Sequence, residues 1–161
     1  MKIRIIGPVG SGKTTFAHKI ARIKPYPVTS LDDLNWVRQA TGDRHRTPSE
    51  RQALLQVIIQ QNDWIIEGAQ FREGQDCFAL ADVIYVLDLP YYKNVYYILK
   101  RWFNNRLHGG SKQYRNLWLF LKWQNKWRTN NRDDVYRLLK PYHKKVIIIR
   151  KTKFDKIEKL E

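Results

Sequence analysis

One cysteine in 161 residues, Cys77, excludes an internal disulfide, and no Cys/His cluster has the spacing of a metal site. Such usage suits a reducing compartment, and Cys77 reads as a small buried hydrophobe rather than a nucleophile. Long apolar runs are missing too, since no stretch approaches the roughly 18 residues that a membrane helix needs. The opening Met1-Lys2-Ile3-Arg4-Ile5-Ile6-Gly7 has only a brief apolar run before its glycines, which fits neither a signal peptide nor an anchor. A soluble, cytoplasmic protein with no membrane partner is expected. Acidic residues are the third scarcity. There are 15 Asp and Glu against 30 Lys and Arg, a net charge of +15. Residues 1–80 hold 11 basic and 8 acidic side chains, whereas residues 81–161 hold 19 and 7. A basic half of this kind attracts polyanions, and phosphorylated small molecules, nucleic acid and anionic lipid all qualify on charge alone.

What is present supports one folded unit over residues 1–161. With 43% hydrophobic residues and six Trp, a chain of this length buries roughly two thirds of its surface without staples. Lys2–Ile6 is β-rich, and Lys13–Ile23 has helical spacing at Phe16, Ile20 and Ile23. Tyr26–Leu31 reads as a second strand and 37–48 as a polar loop. Thr47-Pro48-Ser49-Glu50 has helix-start chemistry for a helix to about residue 61. Asp63–Gly68 reads as a buried strand, 72–80 as a helix, and Asp82–Leu89 as a strand stopped by Pro90. Two basic, aromatic helices follow, about 91–107 and 114–128, separated by Gly109-Gly110. Lys145–Arg150 is an aliphatic strand and 154–160 a last helix. Apolar rather than alternating strands, with helices between them, mark an α/β fold with a parallel sheet covered on both faces.

Gly7-Pro8-Val9-Gly10-Ser11-Gly12-Lys13-Thr14 fits G-x-x-x-x-G-K-[ST] at every fixed position, directly after a strand and before a helix. In such a loop the glycines turn backbone N–H groups toward phosphates, and the helix start adds its positive end. Lys13 bridges the outer phosphates and Thr14 offers a hydroxyl to Mg²⁺. The expected nucleotide-binding residues are Gly7, Pro8, Val9, Gly10, Ser11, Gly12, Lys13, Thr14 and Thr15, with Mg²⁺ and ATP or GTP as cofactors. Without an anion, a lysine at a helix start is electrostatically unfavourable, which weighs against an accidental glycine turn.

Acids at strand ends are the next candidates, because in a doubly wound sheet those ends open onto the ligand crevice. Glu67 reads as a carboxylate holding a magnesium water or the acceptor, or alternatively as a helix-capping or surface acid. Asp32 and Asp33 would orient an acceptor hydroxyl as general base, or cap 34–38. Asp88 in Leu-Asp-Leu-Pro reads more simply as part of a turn. Arg101 and Arg106, near the Gly109-Gly110 hinge, would neutralise a transferred phosphoryl group from a lid at about 101–130, or form a solvated basic face. Arg72 and Arg115 are weaker candidates of that kind, and the four histidines show no ligand or triad pairing. Phe120, Trp123 and Trp127 fall at i, i+3 and i+7, a stripe that packs on a core. The interleaving of Tyr114, Trp118, Phe120, Trp123 and Trp127 with Arg115, Lys122, Lys126 and Arg128 also suits nucleic acid.

Gly7 to Thr15, Ser30–Trp36, Asp63–Gly68 and Val86–Pro90, in that order, give the chain its resemblance to small adenylate-kinase-like P-loop proteins of the DNA topology modulation family. The resemblance runs over nearly the whole chain and implies a five-stranded parallel sheet in the order 2-3-1-4-5 with a nucleotide-kinase type of site. Glu67 stands where such kinases usually place an Asp before Gly, and long aromatic helices replace their short Arg-rich lid. The expectation is therefore a Mg-dependent phosphotransferase acting on a nucleotide or other small acceptor, with catalytic Lys13, Asp32, Asp33, Arg101 and Arg106 and metal-holding Thr14 and Glu67. Its alternative is a nucleotide-regulated protein whose basic carboxyl half binds nucleic acid without turnover. Loops outside the motif, Arg150–Lys153 among them, are expected to read the base.

Overall fold

The computed structural model describes residues 1–37, 42–107 and 116–151. The expected Gly109-Gly110 hinge, Arg115, the residues 152–153 expected to read the base and the expected helix at 154–160 lie outside the described residues, as does part of the expected lid. Five strands form one parallel sheet: β1 (Lys2–Ile6), β2 (Val28–Ser30), β5 (Trp64–Glu67), β6 (Val83–Leu87) and β7 (Val146–Ile149). Their order is β2-β5-β1-β6-β7. The expected numbering differs because the chain inserts a separate hairpin, β3 (Trp36–Val37) with β4 (Arg44–His45), between the second and third strands of the sheet.

Helices cover both faces, which is why the strands are apolar throughout. On one face Ile3, Ile5, Tyr85 and Leu87 pack with Phe16, Ala17 and Ile20 of α1 (Lys13–Ile23). On the other, Ile6, Ile66 and Val86 meet Leu55 and Ile59 of α2 (Pro48–Ile59), Cys77 and Phe78 of α3 (Asp76–Leu80), and Val135 and Leu139 of α6 (Arg132–Leu139). α2 begins as its sequence requires. Thr47 accepts from the Glu50 amide, the Glu50 carboxylate accepts from the Thr47 amide, and Pro48 fills the first turn. Cys77 is fully buried, as its reading demanded.

Several boundaries move. The helix expected from residue 72 is confined to Asp76–Leu80, because Gly74 takes a left-handed φ of 69° and holds the chain in a turn until then. The polar segment 37–48 is partly a hairpin, pinned where the Trp36 and His45 rings approach to 3.6 Å between centroids and Arg44 pairs with Glu50. Of the expected Phe120/Trp123/Trp127 stripe only Trp127 is buried, since α5 (Leu117–Lys126) turns Gln124 inward and leaves Trp123 45% exposed. A π-turn at Trp127–Asn131 then joins α5 to α6. α6 has no counterpart in the sequence reading. Among the described residues, no helix is long and apolar enough to cross a membrane.

Candidate active site

The glycine loop folds into a phosphate cradle for local reasons. Gly10 and Gly12 take φ of 77° and 84°, values that side chains resist. A Cβ on Gly10 would lie 2.7 Å from the Asn94 carbonyl oxygen and 2.8 Å from Ile98, so the loop presses directly against α4 (Tyr91–Leu107). Ser11 turns its hydroxyl back onto the Pro8 carbonyl at 2.8 Å. α1 begins at Gly12 with no side-chain cap and no acid in its first turn. Its first amide donors are therefore left for an anion.

Lys13 donates to the same Pro8 carbonyl at 2.7 Å. Removal from water lowers its ammonium pKa to about 8, against the opposing pull of Glu67 and Asp32, and Arg4 and Arg101 depress it further. A phosphate would reverse this shift. The loop, Tyr97, Ile98, Arg101 and Trp102 of α4, and Phe120 of α5 enclose a cavity of about 340 Å³ over the cradle.

Glu67 is neither a cap nor a surface acid. It is 3% exposed at the carboxyl end of β5, and its Oε1 accepts from Thr14 Oγ1 at 3.0 Å. The parallel register places it opposite Ile5 on one side and Ser30 on the other. A buried carboxylate touching the motif hydroxyl is a hard oxygen pair of the sort Mg²⁺ uses together with phosphate oxygens and water. Among the described residues no group of three His, Cys, Asp or Glu stands ready to hold a metal unaided. The donor set therefore fits a metal that arrives with a triphosphate.

Asp32 and Asp33 follow β2 in a 3₁₀ turn, Asp33–Asn35, and both are exposed. Asp32 makes no side-chain cap there; its Oδ1 accepts from Gln70 Nε2 at 2.5 Å and its charge reaches Lys13. Asp33 has its carbonyl near Arg46, whose Nη1 also donates to the carbonyls of Leu34 and Trp36. A second cavity, about 440 Å³, opens beside this turn between Leu31, Leu34, Asn35, Arg51, Leu55 and Gln70. Arg101 faces the cradle. Arg106 does not line that cavity; its guanidinium lies 5.5 Å from the Trp102 ring. At 3.6 residues per turn the two arginines point about 140° apart around α4.

Several residues escaped the sequence reading. Arg4, wholly buried in β1, donates to the carbonyls of Ile5 (2.5 Å), Ile66 (3.3 Å), Gly68 (3.2 Å) and Gln70 (2.7 Å), with Phe78 beneath it at 5.0 Å. It thereby ties the P-loop strand to the chain leaving Glu67. A cation within an aliphatic strand was the available signal. Asp88 is more than a turn residue, for Arg132 grips it at 3.0 and 2.8 Å and the Tyr136 hydroxyl donates at 2.8 Å. Burial alone would raise its carboxyl pKa, but those hydrogen bonds and the charges of Arg132 and Arg150 hold it below the usual range. Arg72 is exposed and pairs with Asp134 at 3.6 Å.

Fold and loop together define an α/β P-loop fold with a five-stranded parallel sheet. Among solved structures the chain is similar to shikimate kinase from Acinetobacter baumannii in complex with shikimate, at 14% identity over 99% of this chain and 89% of that one, with a TM-score of 0.61. It is also similar to deoxyadenosine kinase from M. mycoides with bound dATP, at 14% identity over 93% and 91% of the two chains and a TM-score of 0.54. A third similar structure is TT1252 from Thermus thermophilus, at 15% identity over 98% and 92% and a TM-score of 0.55. At such identities the shared property is the fold. No family model matches the chain and no curated protein matches it in sequence. Membership of the DNA topology modulation family is accordingly not shown.

Proposed function

We propose that the protein is a magnesium-dependent phosphotransferase that passes the terminal phosphoryl group of ATP or GTP to a hydroxyl of a small molecule or nucleotide. The observation that carries this reading is the 3.0 Å contact of Thr14 with buried Glu67 beside a desolvated Lys13. That arrangement supports a metal-bound triphosphate more than a bare phosphate.

The open amides of α1 and the Lys13 ammonium would hold the donor's outer phosphates. Thr14 and Glu67 would hold Mg²⁺, which supplies charge neutralisation across the phosphate oxygens when bound. The acceptor would occupy the cavity beside Leu31–Asn35, where Asp32, held by Gln70, takes the hydroxyl proton as the oxygen–phosphorus bond forms and the nucleoside diphosphate leaves. Asp33 is the second candidate for that proton. Arg101, on the far wall of the cradle, would meet charge on the moving group. The likeness to a kinase solved with shikimate and to one solved with dATP supports a compact hydroxylated acceptor.

The test is transfer of labelled γ-phosphate from MgATP or MgGTP to a panel of nucleosides, nucleotides and hydroxylated metabolites. Transfer to one acceptor is expected, lowered at least tenfold by Asp32→Asn with triphosphate affinity unchanged. Equal losses of transfer and affinity would make Asp32 a structural residue, and no transfer to any hydroxyl would remove the kinase reading.

A further inference from the structure

Between Asp88 and Asp133 the chain carries no Asp or Glu, although it holds Lys93, Lys100, Arg106, Lys122, Lys126 and Arg128 among its cations. This acid-free stretch spans α4 and α5, and it leaves large apolar side chains in water. On α4, Tyr92, Tyr96, Leu99, Phe103 and Leu107 are 68%, 57%, 42%, 57% and 63% exposed. Their spacing of three and four residues puts them on one stripe, turned away from the P-loop that Arg101 faces. Lys100 and Arg106 flank that stripe. On α5, which packs on α4, Trp118 is 80% and Trp123 45% exposed, with Lys122 beside them exposed as well. Between Tyr96 and Phe103 lies a shallow cleft of about 330 Å³.

An exposed apolar stripe running the length of α4 marks an interaction site. Charge chooses the occupant. A second copy would bring one net +15 chain against another through an acid-free face, and the like charges would repel. A polyanion meets no such penalty. Exposed rings stack on bases that are themselves unpaired, whereas a duplex keeps its base faces covered. We infer that the outward face of α4 binds single-stranded nucleic acid, with Tyr92, Tyr96 and Phe103 stacking on bases and the flanking Lys100 and Arg106 tracking the backbone. The site is separate from the P-loop cavity, and the inference does not rest on phosphotransfer.

The experiment is fluorescence anisotropy of labelled oligothymidine and oligouridine of about 20 nucleotides, with a duplex of equal length and phosphatidylserine vesicles as separate arms. Single strands should bind more tightly than the duplex, and affinity should fall by orders of magnitude between low and physiological salt. Tyr92→Ala and Phe103→Ala should each weaken binding roughly 5- to 100-fold while the melting temperature and MgATP affinity stay as in the parent. The ratio of the two oligomers tells DNA from RNA preference, either of which upholds the inference. Equal affinity for duplex and single strand with both variants unaffected would overturn it, as would binding to vesicles without binding to either oligomer, or self-association of the free chain through this face.

Discussion

The Lys13 ammonium is held on the Pro8 carbonyl and largely removed from water, and in the absence of a ligand that placement opposes folding. Its pKa of about 8 lies below the 10.5 of the free side chain. Below pH 8 both states carry the proton and the penalty is fully present. Between pH 8 and 10.5 the unfolded chain binds more protons than the native one, so this group's contribution to stability rises with pH across that window. Lys13→Met is therefore expected to raise the melting temperature of the ligand-free protein by a few degrees at pH 7, a gain that shrinks as pH climbs from 8 toward 10.5. Thermal melts across that range check it, and a variant no more stable than the parent at pH 7 would show that the ammonium is not desolvated. Triphosphate binding would restore the charged form. Calorimetry at about pH 8.5 in buffers of different ionisation enthalpy should accordingly show net proton uptake on ATP binding.

At the scale of elements, α4 turns Arg101 toward the cradle and Arg106 away from it. Arg101→Ala is expected to lower kcat roughly a hundredfold with little change in ATP affinity, because its charge would matter most as the phosphoryl group moves. Arg106→Ala should leave transfer near the parent value. Steady-state kinetics of both variants decide this, and equal losses would mean that the two helix faces are not separate in solution. α2 gives a stability test, since Thr47→Ala removes one half of a reciprocal cap and should cost about 1 kcal/mol in denaturant unfolding. The P-loop and this capping box were legible in the sequence because their geometry is set by neighbours within a few residues. α6 was not, since its burial through Val135 and Leu139 depends on the distant sheet. The same holds for Arg4, whose acceptors at Gly68 and Gln70 lie more than sixty residues away, and for Asp88, whose grip comes from Arg132 and Tyr136. The length of the expected third helix failed on one residue, Gly74, whose backbone angle no periodicity reveals.

For the whole molecule, the parallel sheet explains why a single crevice gathers residues from so many points in the chain. β1, β2 and β5 all end at the same edge, and the register that sets Glu67 opposite Ile5 and Ser30 brings it to Thr14. Sequence reasoning could place each acid at a strand end, but only the order of strands could say that Glu67 meets the P-loop hydroxyl while Asp88 is taken up by α6. The net charge adds a second property that the fold alone does not require, concentrated in residues 81–161. The most direct test of the account is titration calorimetry of ATP into the parent protein, Lys13→Ala and Glu67→Gln, each with and without Mg²⁺. The parent should bind ATP more tightly with Mg²⁺, Lys13→Ala should lose affinity at least a hundredfold in either condition, and Glu67→Gln should lose the magnesium enhancement while keeping metal-free binding. Unchanged ATP affinity in Lys13→Ala, with the fold intact by thermal melting, would contradict the phosphate-cradle assignment on which the rest depends.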